Sequence, residues 1–323
     1  MPSRRFPLPR ALSAVGVTAA ASALLAGTLT ATAQASALPV SYDFALAAVT
    51  NALTPTTPPP GSNDFSCKPS ATHPYPVILV HGTLANMSDN WQTASPILAN
   101  HGYCVFAFNY GGSSSTSDFQ GTGDIAASAQ QLASFVDTVL AATGASKVDL
   151  VGHSQGGMMP RYYINFLGGA TKVNTFVALA PSNYGTTLDG LTTLGETLSL
   201  LIPINSALAT TCTACVEQEE GSSFLNNLNV TPTVPGVQYT VIESKDDEVV
   251  TPYTNAFLPS ASNVTNITVN DQCSLDASDH LEIAADPIAM ADMLNALDPA
   301  DPVQVPCVTV LPLTGPVGPV PSF

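Results

Sequence analysis

Residues 147–157 read Lys-Val-Asp-Leu-Val-Gly-His-Ser-Gln-Gly-Gly, an apolar run that ends on a serine with glycines two positions to either side. Val148 to Val151 predicts a strand buried on both faces, and Met158 onward is compatible with a helix. A strand that must reverse sharply into a helix leaves the turn residue in strained backbone geometry. Glycines at 152 and 156 remove the Cβ atoms that would collide there. Ser154 Oγ is then presented above the sheet edge, close to a helix N-terminus. The five-residue pattern alone is common in chains rich in glycine and serine. The strand before it and the helix after it make Ser154 a candidate nucleophile rather than a structural turn.

The rest of the chain supplies the sheet that such a turn requires. Val77–Val80, Cys104–Phe108, Phe176–Ala180 and Val237–Ile242 repeat the short apolar signature, and Val264–Val269 is a weaker, alternating version. Helical patterns fill the gaps. Asp124 is a candidate N-cap for a segment whose apolar face runs through Ile125, Ala129, Leu132, Val136 and Val139 to Gly144. Ile283–Leu297 predicts a second helix, interrupted early by Pro287. Alternating strands and helices mean an α/β domain with a mostly parallel sheet flanked by helices. No internal repeat is visible.

A serine is a poor nucleophile until a histidine takes its proton. Of the five histidines, His73 lies in a proline-flanked entry segment, His81 follows the first strand and His101 sits in a connection. His153, next to the serine, is expected to point to the opposite side of the turn. Only His280 lies C-terminal to Ser154, where the order Ser…Asp…His places the base. The orienting carboxylate should follow the strand between them, and Lys245-Asp246-Asp247-Glu248 does so. Asp246 or Asp247 can accept the Nδ1–H of His280 and fix its tautomer. Two backbone N–H groups are needed for an oxyanion. Gln155, the residue after the nucleophile, supplies one, and Thr83 in the His81-Gly82-Thr83 loop is the candidate for the other, with its hydroxyl as a third donor.

Charge and cysteine usage bound the remaining classes. Against 24 acidic residues stand only eight basic ones, three of them Arg4, Arg5 and Arg10. Such a surface repels phosphate backbones, so no nucleic-acid partner is expected, nor attraction to anionic lipid headgroups. The basic start, the Ala/Val/Leu/Thr stretch to Leu29 and the Ala33-Gln34-Ala35 or Ala35-Ser36-Ala37 pattern predict a cleaved signal peptide over residues 1–35. The paired Arg4-Arg5 leaves both the general and the twin-arginine export routes open. The mature chain is therefore expected outside the cell, with no membrane span. Cys67, Cys104, Cys212, Cys215, Cys273 and Cys307 all lie beyond the signal segment, an even number that reads as three disulfides with 15 possible pairings. Cys212-x-x-Cys215 is expected to be a short local bridge, because neither a zinc partner pair nor a redox βαβ context accompanies it. Calcium binding by the 246–248 acids lacks the glycine-centred loop, so neither a metal nor a cofactor is expected. Residues 36–66 contain a short apolar stretch, Phe44 to Val49, then Thr54 to Ser62, dominated by proline and threonine, and predict an extended linker or surface arm outside the core; the tail after Asp298 is rich in proline and valine.

With these residues in place, the chain resembles the secreted α/β-hydrolase lipases of the lipase B type and their actinobacterial relatives. The resemblance runs from about Cys67 to Cys307. It rests on Val80-His81-Gly82-Thr83, Ser154-Gln155-Gly156-Gly157, Ala180-Pro181 with Tyr184-Gly185-Thr186, Ser244 to Pro252, and Asp279-His280. It implies an α/β-hydrolase fold, Asp247 rather than Asp246 as the acid, and a Cys67–Cys104 bridge. The chain departs from lipase B in Gly152-His153, where that family carries Thr-Trp, and in His81, where it has proline. These differences leave the triad positions intact and bear on substrate selectivity.

More than fifty residues separate the Ala180 strand from the Val237 strand. Leu188, Leu191, Leu194, Leu198, Leu201 and Ile202 recur near helical spacing there, so residues 186–230 predict either an apolar-faced cap over the site or a helix packed on the sheet. The domain order expected is thus signal peptide, arm to residue 66, catalytic domain 67–307 and tail 308–323. The expected activity is hydrolysis of apolar acyl esters, with triacylglycerol as substrate. Soluble or polymeric esters, and acyl transfer to an alcohol, are the alternatives.

Overall fold

The computed structural model describes residues 36–201 and 212–320. The expected signal segment, residues 202–211 of the expected cap and the last three residues of the tail lie outside the described residues. In chain order the elements are α1 (Phe44–Asn51), β1 (Val77–Val80), α2 (Met87–Asn90), α3 (Ala94–Asn100), β2 (Val105–Ala107), α4 (Ile125–Thr143), β3 (Val148–His153), α5 (Gln155–Phe166), β4 (Val173–Leu179) and α6 (Leu188–Leu201). They continue with α7 (Thr213–Glu217), α8 (Ser223–Leu228), β5 (Gln238–Glu243), β6 (Val264–Thr268), α9 (Val269–Gln272), α10 (Pro287–Leu297), β7 (Val310–Leu311) and β8 (Gly315–Pro316).

Strands β1–β6 form one parallel sheet in the order β2-β1-β3-β4-β5-β6. Burial on both faces explains the uninterrupted apolar runs. Ile78 and Val80 of β1 face a cluster with Ile125, Leu132, Val136 and Val139 of α4 and Met158 and Tyr163 of α5. Val77 and Leu79 face the other layer, with Ile97 and Leu98 of α3 and Ile288, Met290 and Met293 of α10. The alternation follows from the two-residue period of a strand. From β1 the chain moves outward to β2, then returns to the far side of β1 and builds β3 to β6. The loops after β1 and β3 consequently diverge, and open α/β sheets place their ligand crevice at such a switch point.

Helix boundaries obey local chemistry. Asp124 caps α4 by accepting from the Ala127 N–H at 2.7 Å, and Gly144 ends it in the left-handed region at φ 78°. The segment expected to be helical from Ile283 divides at Pro287. Asp286 caps α10 with proline in its first turn, and Glu282–Ala284 forms a separate 3-10 turn. Proline tolerates a first turn but disfavours a helical residue before it.

The arm expected over 36–66 is not a surface linker. Asp43 caps α1, and Phe44, Ala47, Ala48 and Ala52 are buried. Further on, Asn63 hydrogen-bonds the edge strand β2 at Val105 O and Ala107, covering an otherwise open edge. The apolar stretch Phe44–Val49 is plain in the sequence, and Asp43 makes it a capped helix with a buried face, which the proline and threonine of Thr54–Ser62 do not suggest. Three disulfides join Cys67 to Cys104, Cys212 to Cys215 and Cys273 to Cys307. The last ties the tail to the end of α9, and the β7–β8 hairpin then lies against Asp276 and Ala277, beside the His280 loop.

Candidate active site

Ser154 sits at the C-terminal end of β3 with φ 57° and ψ −123°, a region that residues with a side chain rarely occupy. The flanking glycines show why the turn closes only with this sequence. A Cβ on Gly152 would lie 1.8 Å from the Gly156 carbonyl oxygen, and one on Gly156 would lie 2.0 Å from that of Val80. The Ser154 N–H donates to Leu179 O at 2.9 Å, fixing the turn to β4.

His280 and Asp247 converge on this serine from 126 and 93 residues away in sequence. His280 Nε2 is 2.9 Å from Ser154 Oγ, and its Nδ1 is 2.7 Å from Asp247 Oδ2. The other Asp247 oxygen accepts from the Val249 and Val250 N–H groups, both at 2.7 Å, so the loop's own backbone fixes the carboxylate. Asp246 instead accepts from Asn270 Nδ2 and faces away. Burial by itself pushes His280 down, but the charge and hydrogen bond of Asp247, with Glu248 and Asp279, outweigh it and its pKa is raised. Glu248 also accepts the His280 backbone N–H at 3.2 Å.

Thr83 and Gln155 lie side by side across the β1–β3 crevice. Gln155 Nε2 donates to Thr83 Oγ1 at 2.9 Å and to Gly121 O at 2.7 Å. Gln218, on the segment after α7, donates to the same Thr83 Oγ1 at 2.9 Å. With both lone pairs taken by amide donors, the Thr83 hydroxyl proton must be offered to another partner. A Cβ on Gly82 would stand 3.1 Å from Ser154 Cβ, so glycine lets this loop approach the serine.

His153 does not point away from the catalytic side. Its Nε2 is 2.8 Å from the His280 carbonyl oxygen, and its Nδ1 is 3.2 Å from Asn90 Oδ1. Asn90 Oδ1 accepts the Gly82 N–H at 2.8 Å and so holds the Thr83 loop, while His153 Nδ1 lies beside it without a proton to donate. Burial, then the neighbouring His280, pushes His153 down to about 3, so it is neutral and donates from Nε2. His81 stacks on Tyr110 and is pushed down to about 4 by burial.

A buried apolar cluster lies beside these groups. Leu194 and Leu198 of α6 pack with Phe44 and Ala48 of α1, Val249 and Leu281, and with the partly buried Leu84 and Phe119. Leu84 follows Thr83 directly and Leu281 follows His280. Leu194 and Leu198 therefore pack with α1 and the loops that carry Thr83 and His280. Among the described residues no group of three or more His, Cys, Asp or Glu is placed to hold a metal ion, and no helix is long and apolar enough to cross a membrane.

Sequence reasoning did not find Asn90, Gln218 or Glu243, the last a carboxyl wholly buried beside Asp247. Glu243 left one signal, an acid closing the apolar run of β5. Asn90 and Gln218 left none, because each acts across a long sequence separation through a single side-chain amide.

Residues 74–291 match the family model for Lipase (class 2). A triacylglycerol lipase of Pseudarthrobacter phenanthrenivorans is 45% identical over 93 residues, 27% of this chain and 27% of that protein. A triacylglycerol lipase of Burkholderia plantarii matches at the same identity over 27% of this chain and 24% of its own. The chain thus spans about a quarter of the length of these curated relatives. The crystal structure of Aspergillus fumigatus lipase B superposes with a TM-score of 0.56 at 20% identity, over 74% of this chain and 55% of that one. A mature-form lipase of Bacillus licheniformis gives 0.50 at 18% identity, over 71% and 94%. These likenesses establish the α/β-hydrolase fold, and the family match covers well over half of the chain. The chain belongs to the class 2 lipase family.

Proposed function

We propose that the chain is an exported carboxylic ester hydrolase, a triacylglycerol lipase that acts through an acyl-enzyme on Ser154. The observation that carries this reading is His280 Nε2 at 2.9 Å from Ser154 Oγ, with Asp247 on the other ring nitrogen. Ser154 Oγ attacks the ester carbonyl as its proton passes to His280 Nε2, and Asp247 stabilises the imidazolium. The backbone N–H groups of Thr83 and Gln155 and the Thr83 hydroxyl hold the oxyanion. His280 returns the proton to the leaving alcohol, and water repeats the sequence to release the acid.

The apolar cluster of Leu84, Phe119, Leu194, Leu198 and Leu281 beside Ser154 and His280 supports an apolar acyl group as substrate. The names of the curated relatives, both triacylglycerol lipases, support the acylglycerol class. The described residues 186–201 and 212–230 serve as the cap of this site, and residues 308–320 as a tail held by Cys307. Export follows from the N-terminal segment and the three disulfides.

A panel of p-nitrophenyl esters from acetate to palmitate, run on the protein and on Ser154→Ala, tests the reading. Turnover that rises with acyl length and vanishes in the variant is expected, and a variant with wild-type activity overturns it. Triglyceride rates measured across the solubility limit separate a lipase from an esterase on soluble or polymeric esters. Product analysis with a competing alcohol detects acyl transfer.

A further inference from the structure

Glu243 is the last residue of β5, and its side chain is completely buried. One carboxyl oxygen, Oε1, accepts the Ser244 N–H at 2.8 Å. The other, Oε2, receives no donor from the protein. The same carboxyl lies within hydrogen-bond reach of the carboxyl of Asp247. Two buried carboxyl groups at that separation cannot both stand as bare anions, so a proton has to lie between them.

Lone-pair accounting indicates which group carries it. Asp247 Oδ1 is filled by the Val249 and Val250 N–H groups, and Oδ2 takes His280 Nδ1. That leaves Asp247 an acceptor with one lone pair to spare on Oδ2. Glu243, by contrast, has an oxygen without a donor, which is where an O–H would be. The ionisable groups facing the pair are Glu248 from the same loop, His280 from the base loop and His153 at the end of β3, with Asp279 acting on His280 in turn. The two histidines apart, all are acids.

We propose that Glu243 is a positioning residue of the catalytic relay, a buried carboxylic acid that donates its O–H to Asp247 and so sets how tightly Asp247 holds the His280 imidazolium. The inference rests on the hydrolase reading of Ser154, His280 and Asp247. Burial and then the Asp247 charge push Glu243 well above the ordinary carboxyl range, in keeping with a retained proton. A donor on Asp247 draws off part of its charge and lowers the affinity of His280 for a proton. The relay is then active to lower pH than a three-membered one, because catalysis needs His280 neutral at the start.

The test compares the full chain with Glu243→Gln, which keeps an N–H donor, and Glu243→Leu, which has none. The acidic limb of kcat/KM on p-nitrophenyl butyrate and Tm are both read from pH 4 to pH 10. The Leu variant should move the limb upward by about one pH unit, and the Gln variant should leave it within about 0.3 unit of the parent. The parent should also lose Tm relative to the Gln variant as pH rises, because only Glu243 has a proton to lose. An unmoved limb in Glu243→Leu overturns the inference, as does a parallel Tm profile in Glu243→Gln. If the parent hydrolyses no ester, the hydrolase reading fails, and the Tm comparison still decides whether Glu243 holds a proton.

Discussion

The Nε2–H of His153 donates to the backbone carbonyl of His280 at 2.8 Å, so the residue before Ser154 holds the histidine that hydrogen-bonds Ser154 Oγ. The contact spans 127 positions of sequence and closes the gap between the β3 turn and the loop before the Glu282 turn. The histidine thus has a physical reason to stand beside Ser154 that is separate from proton transfer.

Replacing His153 with alanine removes that hold on His280 without removing any group that reacts. The expected result is a fall in kcat of about 10- to 100-fold with KM little changed, since misplacement of a base acts on the transition state. Steady-state kinetics on p-nitrophenyl butyrate checks it, and a change confined to KM would contradict the assignment.

The two candidate acids should separate sharply. Asp247→Asn leaves the ring partner in place but favours the wrong tautomer, and a drop in kcat on the order of 10³–10⁴ is expected. Asp246→Asn breaks only a contact with Asn270 and should remain within about twofold of the parent.

Gln218 reaches Thr83 from the segment between β4 and β5, and with Gln155 it occupies the hydroxyl's lone pairs. Thr83→Val should lower kcat by about 10²–10³ through loss of an oxyanion donor. Gln218→Ala should cost less, on the order of tenfold, by freeing the hydroxyl to turn away from the oxyanion. Equal losses would show that the amide, not the hydroxyl, carries the effect.

Stability should decline on the alkaline side. Burial raises Asp89 to about 8 and Glu282 to about 10. Both folded values lie above the unfolded ones, so the stability these groups contribute is complete below about pH 4 and is lost as pH rises through 8 and then 10. Thermal unfolding followed from pH 6 to pH 10 should show a falling Tm, and Glu282→Gln should flatten the upper part of the fall. A Tm that rises over this range would contradict the burial of these carboxyls as acids.

The parts of the fold that depend on adjacent residues were legible in the sequence. Strands β1–β5 show as apolar runs because both faces of the sheet are covered there, the partly exposed edge strand β6 shows only as a weaker alternation, and Gly152 and Gly156 show because their turn admits no Cβ. His280 could be reached by elimination and chain order. The arm departs from expectation because Phe44–Val49, though visibly apolar, is short and leads into the proline- and threonine-rich Thr54–Ser62, and only the Asp43 cap and burial against the body make it α1. Asn90, Gln218 and the Glu243–Asp247 contact were not legible for another reason. Each is a single polar group paired across the fold, and no periodicity or spacing marks such a pair.

The central claim, that Ser154 is the acylated nucleophile, is tested most directly by titration with a p-nitrophenyl alkylphosphonate, which forms a stable adduct with an activated serine. Release of one p-nitrophenol per chain, with the added mass on the peptide containing Ser154 and no release from His280→Ala on the same time scale, is the predicted result. A stoichiometric adduct on any other residue, or undiminished labelling of Ser154→Ala, would contradict it.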